Sequence, residues 1–163
     1  MTQQRNGQYW RWLSAIFMAL YLLNFAMAKE IDARNIKELS NCDEVSYTYT
    51  IWIGSSVSQE FNISLTSPKN TNFFDAMNHA AKIDPRFDFK YKNTSWGHYV
   101  TEISGKAEDV KNNIFWLLYN LPEPPNKNNK PGEEYMSPVG VDGLIVENGK
   151  NYLFWLRELN LSK

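Results

Sequence analysis

A chain of 163 residues with a formal net charge of −1 and no basic block lacks the electrostatic footprint of a phosphate-backbone binder, so no nucleic acid is expected as a partner. One cysteine and two histidines exclude an internal disulfide and any ordinary zinc cage built from this chain alone, so no protein-bound metal is expected either. With 43% hydrophobic and 15% aromatic residues, packing must hold the fold.

Residues 1–28 read as a secretory signal peptide. Arg5 and Arg11 supply a positive start, Trp12 to Phe25 is mostly apolar, and Ala26-Met27-Ala28 is a small-x-small cleavage site. The apolar run is shorter than the ~20 residues of a membrane span, so no span is expected after cleavage. The expected product is secreted and extracellular, about 135 of the 163 residues, enough for one domain. Losing two arginines and no acid takes the net charge from −1 to −3. Asn62-Ile63-Ser64, Asn93-Thr94-Ser95 and Asn160-Leu161-Ser162 are glycan acceptors and fit an extracellular glycoprotein. Cys42 either bridges to a second chain or lies buried.

Lys29 to Asp43 is polar and is read as a tail or short helix. Val45, Tyr47, Tyr49, Ile51 and Ile53 then alternate with Ser46, Thr48, Thr50 and Trp52, the period of a strand. Gly54-Ser55-Ser56 turns it into a second strand, in which Phe61, Ile63 and Leu65 alternate with polar residues. Asn72 caps a helix with an apolar stripe of Phe73, Phe74, Met77, Ala80 and Ala81, and Asp84-Pro85 stops it. His79 falls on its polar side. Phe87, Phe89 and Tyr91 read as a third strand. Thr94 to Thr101 follows and leads into a fourth strand, Tyr99 to Ile103. It sets Trp96, Gly97, His98 and Tyr99 side by side, and the glycine lets backbone approach a flat partner. Lys106 to Asn113 is read as a charged loop.

Ile114 to Tyr119 is a continuous apolar strand, and Leu121 to Glu134, with four prolines, is an exposed irregular loop with no assigned function. Tyr135 to Val139 leads to a tight turn, Gly140-Val141-Asp142-Gly143. A hairpin at Asn148-Gly149 precedes the last strand, Tyr152 to Glu158. The expected fold class is α+β, a mostly antiparallel sheet with one main covering helix. The expected organisation is a signal peptide at 1–28, an N-terminal tail at 29–44 and a domain at 45–161.

These motifs come in a particular order: Phe73-Phe74-Asp75-Ala76-Met77, Phe87-x-Phe89, Thr94 to Thr101, Phe115-Trp116-x-Leu118, Gly140-Val141-x-Gly143, and Asn148-Gly149 before a final strand. In that order the chain resembles the small C-terminal domain of the transcobalamin and gastric intrinsic factor family of vitamin B12 carriers, over roughly Val45 to Glu158. The resemblance implies a β-grasp-like domain that closes over cobalamin or a related corrinoid. It places Ser95, Trp96, Gly97, His98 and Tyr99 against the corrin face, Trp116 on the ligand, and the turn Gly140, Val141 and Asp142 over it. A broad, partly apolar corrin suits aromatic walls with a few amide hydrogen bonds.

Two departures from the family are expected: about 135 residues leave no room for a helical domain, and His98 stands where proline is common. The chain would then supply half of such a site, with a separate helical cobalamin-binding partner or a receptor providing the rest. The expected role is cobalamin transport or uptake. The alternative is an extracellular β-grasp interaction module that binds no cobalamin and contacts another apolar ligand or a protein. Catalysis is not expected, because Asp75 is explained by helix capping, Asp142 by turn chemistry, and no nucleophile motif is present.

Overall fold

The computed structural model of the protein describes residues 43–159 together with Met27 and Lys29. The leader apart from Met27, Cys42, most of the tail and the Asn160 acceptor lie outside the described residues. The elements below belong to one compact unit that begins at Glu44, so the first strand already includes the last residue assigned to the tail.

Strand β1 (Glu44–Ile53) pairs antiparallel with β2 (Gln59–Pro68) across the Gly54 turn. Helix α1 (Phe73–Ile83) follows, capped by Asn72, whose side-chain oxygen accepts from the Asp75 amide at 2.8 Å. Strands β3 (Phe89–Thr94), β4 (Gly97–Ile103) and the two-residue β5 (Lys106–Ala107) form a separate antiparallel sheet. Strand β6 (Ile114–Leu121) then pairs antiparallel with β7 (Asn151–Glu158), and β7 lies parallel to β1. The larger sheet runs β2-β1-β7-β6, a β-grasp order. The parallel β1–β7 pair cannot be closed by a hairpin and needs the long crossover that carries α1 and the smaller sheet. The fold is α+β and mostly antiparallel, as the sequence predicts.

The alternating face of β1 buries Val45, Tyr47, Tyr49, Ile51 and Ile53 under α1, whose Phe73, Ala76, Met77 and Ala80 supply the opposing stripe. Tyr49 sits edge-on to Phe73 and Phe87 at 5.1 and 5.0 Å. Fully burying a side chain of this size is worth ~1.5–3 kcal/mol, and this one face carries most of the largest ones. The opposite face is not solvated as alternation suggests. Trp52, Leu117, Tyr119, Leu153 and Trp155 form a second buried cluster there, with Trp52 and Trp155 edge to face at 5.4 Å.

The proline loop is irregular and mostly exposed, as the sequence predicts, and it also contacts that second face. Met136 packs against the cluster, and the Ser137 amide donates to the Leu118 carbonyl at 2.8 Å. The Lys130 ammonium donates to the Ser55 carbonyl at 2.7 Å while lying 5.8 Å from the Trp155 ring centre, and Lys127 pairs with Glu60 at 2.7 Å. The loop is irregular yet tied across the sheet.

Two further elements differ from expectation. Phe87 lies in a 3-10 turn, Pro85–Phe87, because Asp84 caps the Arg86 amide and starts a new turn before β3. Tyr135 to Val139 meets β6 through a single bridge between Met136 and Tyr119. Asn148-Gly149 is not a hairpin between two strands. Its side-chain oxygen accepts from the Ser46 amide at 3.0 Å and its glycine amide donates to the Ser46 carbonyl at 2.7 Å, so the turn aligns β7 with β1.

Candidate functional site

The start of α1 builds one wall. The first amides of a helix have no partner within it. Here Phe73 donates to the Leu144 carbonyl at 2.7 Å and Phe74 to the Val141 carbonyl at 3.1 Å, which fixes the 140–144 turn against the helix. The Gly143 and Leu144 amides both return to the Gly140 carbonyl at 3.1 Å and close the turn.

The β3–β4 hairpin builds the second wall. Thr94 pairs with Gly97 across a two-residue tip, Ser95-Trp96, and the Thr94 hydroxyl donates to the Gly97 carbonyl at 2.8 Å. Gly97 has φ +110°, and a Cβ there would collide with Oδ2 of Asp142, so both backbone shape and space require glycine. The approach it allows lets the Asp142 carboxylate hold His98 twice: the backbone amide donates to Oδ2 at 2.7 Å, and ring Nδ1 lies 2.6 Å from Oδ1. The imidazole stacks flat on Phe74, 3.8 Å between centres and 7° between planes, with Tyr91 edge-on at 4.8 Å. Partial burial raises the Asp142 carboxyl. The hydrogen bonds from the His98 ring and amide outweigh that and hold it below its ordinary value.

Between these walls is a cleft of about 150 Å³. It is bordered by His98, Tyr99 and Val100 of β4, Trp116 and Leu118 of β6, Phe154 of β7, and Gly140-Val141 of the turn. Trp116 is buried, donates from Nε1 to the Lys106 carbonyl at 2.9 Å and stands edge-on to Phe154. The Tyr99 hydroxyl donates to Glu108. Burial first, then that bond and the negative charge of Glu108, push its pKa up to about 12, so it stays a neutral donor. A Cβ on Gly140 would meet open space, so the backbone there is free to be approached from outside.

Two roomier hollows lie elsewhere, about 550 Å³ within the proline loop and about 280 Å³ over β1 and β2. Neither joins aromatic walls to an acid–base pair. The smaller cleft is the better candidate on chemistry.

Of the residues singled out from the sequence, His98, Tyr99, Trp116, Gly140 and Val141 border this cleft. The Asp142 carboxylate holds His98, and Gly97 is what lets it reach. Ser95 and Trp96 form the hairpin tip and do not line the cleft; Trp96 is 94% exposed. His98 is not an exposed side chain: 30% of it is accessible. The acceptors Asn62 and Asn93 are both exposed. Sequence reading missed Val100, Leu118 and Phe154 as walls and Phe74 as the platform beneath His98. Val100, Leu118 and Phe74 stand inside the quoted motifs, whereas Phe154 looks like ordinary strand core.

No family model matches the chain. Over 132 residues, 81% of the chain, it is 50% identical to Uncharacterized protein CG3556 of Drosophila melanogaster, and it spans about a fifth (21%) of that relative's length. Among solved structures the chain is similar to haptocorrin in complex with Cbi, at TM-score 0.56 and 20% identity, covering 69% of this chain and 24% of that one. A putative metal binding protein from Ruminococcus gnavus is similar at TM-score 0.46 and 10% identity, over 71% of this chain and 98% of that one, too slight a likeness to build on. The haptocorrin likeness shows a shared, transcobalamin-like fold. At 20% identity it carries nothing finer.

Proposed function

We propose that this chain is a secreted binding module for cobalamin or a related corrinoid, acting in uptake or transport and contributing one wall of the site. The observation that carries the reading is convergence. Residues far apart in sequence, His98 and Tyr99, Trp116, and Gly140-Val141, border one cleft within a fold shared with haptocorrin, which was solved in complex with Cbi. A cleft of about 150 Å³ falls below the ~300–1,000 Å³ of sites that enclose a ligand. It fits the edge or one face of a flat molecule whose other side is covered by another domain or a separate chain. Binding alone meets the chemistry present. Among the described residues no serine or cysteine lines the cleft, and the His98–Asp142 acid–base pair is bonded to itself.

Calorimetric titration of the chain with cobalamin tests the reading. The expected result is saturable heat at micromolar ligand that is lost in Trp116→Ala; no heat at several hundred micromolar overturns it. Secretion is tested by expression in animal cells. A secreted form beginning near Lys29 and shortened by a glycosidase is expected, and retention of residues 1–28 counts against it.

Trp96 favours a second reading. A tryptophan 94% exposed at a hairpin tip, outside the cleft, suits a protein-contact module that takes no corrinoid. Intact corrinoid heat in Trp96→Ser excludes that reading as the sole one.

A further inference from the structure

We infer that His98 is an axial ligand, through Nε2, for a metal carried at the centre of a planar macrocycle. The inference deepens the corrinoid reading and rests on it.

An ionised carboxylate only accepts hydrogen bonds, so the 2.6 Å contact with Asp142 Oδ1 assigns the ring proton to Nδ1. In the neutral imidazole the lone pair is then on Nε2. That atom has no hydrogen-bond partner among the described residues, and the side chain is 30% accessible at the edge of the cleft. A carboxylate behind the far nitrogen is the arrangement that orients a metal-binding histidine and raises its basicity. The Phe74 stack and the Tyr91 edge contact already fix the ring plane, so little side-chain freedom remains to be lost on ligation.

The kind of metal follows from what surrounds the ring. Among the described residues no group of three or more His, Cys, Asp or Glu side chains could hold a metal ion. One imidazole cannot retain a hydrated ion against water. The metal must arrive with its equatorial positions filled and an axial position exchangeable. In the step itself, Nε2 donates its lone pair into that axial position and a water molecule leaves the metal. No electron is transferred and no proton moves.

A structural clamp accounts for Nδ1 and the backbone amide but leaves Nε2 unused. His98→Asn separates the two roles, because the asparagine amide can donate to Asp142 where Nδ1 does and has no counterpart of Nε2. The experiment titrates the 163-residue chain, by visible absorption, with two probes that share one corrin: diaquocobinamide, whose axial waters exchange, and dicyanocobinamide kept in free cyanide, whose axial positions are blocked. The expected result is a shifted corrin band for the diaquo form and affinity at least about tenfold above that for the dicyano form. His98→Asn loses the shift and the preference for the diaquo form, and a cooperative urea transition like that of the parent reports that it is folded. Asp142→Asn weakens the diaquo form about tenfold by loosening the ring. Equal binding of both probes with an unshifted band overturns ligation and leaves the corrinoid reading standing. A shift that persists in His98→Asn also overturns ligation. Binding of neither probe overturns both.

Discussion

At Gly97 the backbone has φ +110°, and a side chain would run into the Asp142 carboxylate. Gly97→Ala is therefore expected to cost about 1–3 kcal/mol, from backbone strain plus displacement of the carboxylate, and to lower the midpoint of urea unfolding. Gly140→Ala, a change into open space without a left-handed backbone, is the matched control and leaves that midpoint unchanged. Tyr49 shows the opposite situation. Its ring is fully buried, its hydroxyl has no hydrogen-bond partner, and burial pushes its pKa far above the ordinary value. Tyr49→Phe removes an unsatisfied polar atom and keeps the ring packing on Phe73 and Phe87. It is expected to stabilise by about 1 kcal/mol, read as a rise in melting temperature.

Among the elements, α1 both covers the sheet and anchors the site. Its first turn is held by the Asn72 cap and by the carbonyls of Val141 and Leu144. Asn72→Ala is expected to cost about 1 kcal/mol in thermal unfolding. Because Phe74 is the platform for His98, fraying of that turn also disturbs the ring, so corrinoid affinity is expected to fall alongside stability. The proline loop covers rather than dangles, through Lys130 on Ser55 and Trp155 and Lys127 on Glu60. With Val57, Met136 and Leu159 packed on the same face, Trp52 and Trp155 are buried where alternation alone assigns solvent.

For the whole molecule, the His98–Asp142 link ties the small sheet to the turn before β7, joining segments 44 residues apart. The Asp142 carboxyl is depressed in the folded state, so it contributes stability that is fully present above its unfolded value near 3.8 and is lost as pH falls through the lower folded value. The urea midpoints of the parent and Asp142→Asn are expected to differ at pH 6 and to converge as pH falls below about 4. A difference that stays constant across that range overturns the linkage.

Local pattern sufficed for much of this. The alternation of β1 and β2, the cap and stripe of α1, and the apolar run of β6 are short-range signals written in consecutive residues, and they carried the α+β class. The motif order also singled out His98, Tyr99, Trp116, Gly140 and Val141, which border the cleft, but not the Phe154 wall. Partnership across the chain was not legible. Nothing near Asp142 in sequence says that its carboxylate reaches His98, since turn chemistry explains an aspartate there equally well. Nothing near Asn148-Gly149 says that the turn registers a parallel strand rather than a hairpin. The sequence by itself determined the helix and most of the strands, and which residues carry usable chemistry, because periodicity and side-chain type are local properties. Only the tertiary structure decided that β7 runs beside β1, that the proline loop covers a second core, and that Gly97 brings Asp142 against His98, because each depends on the distance between segments brought together by folding.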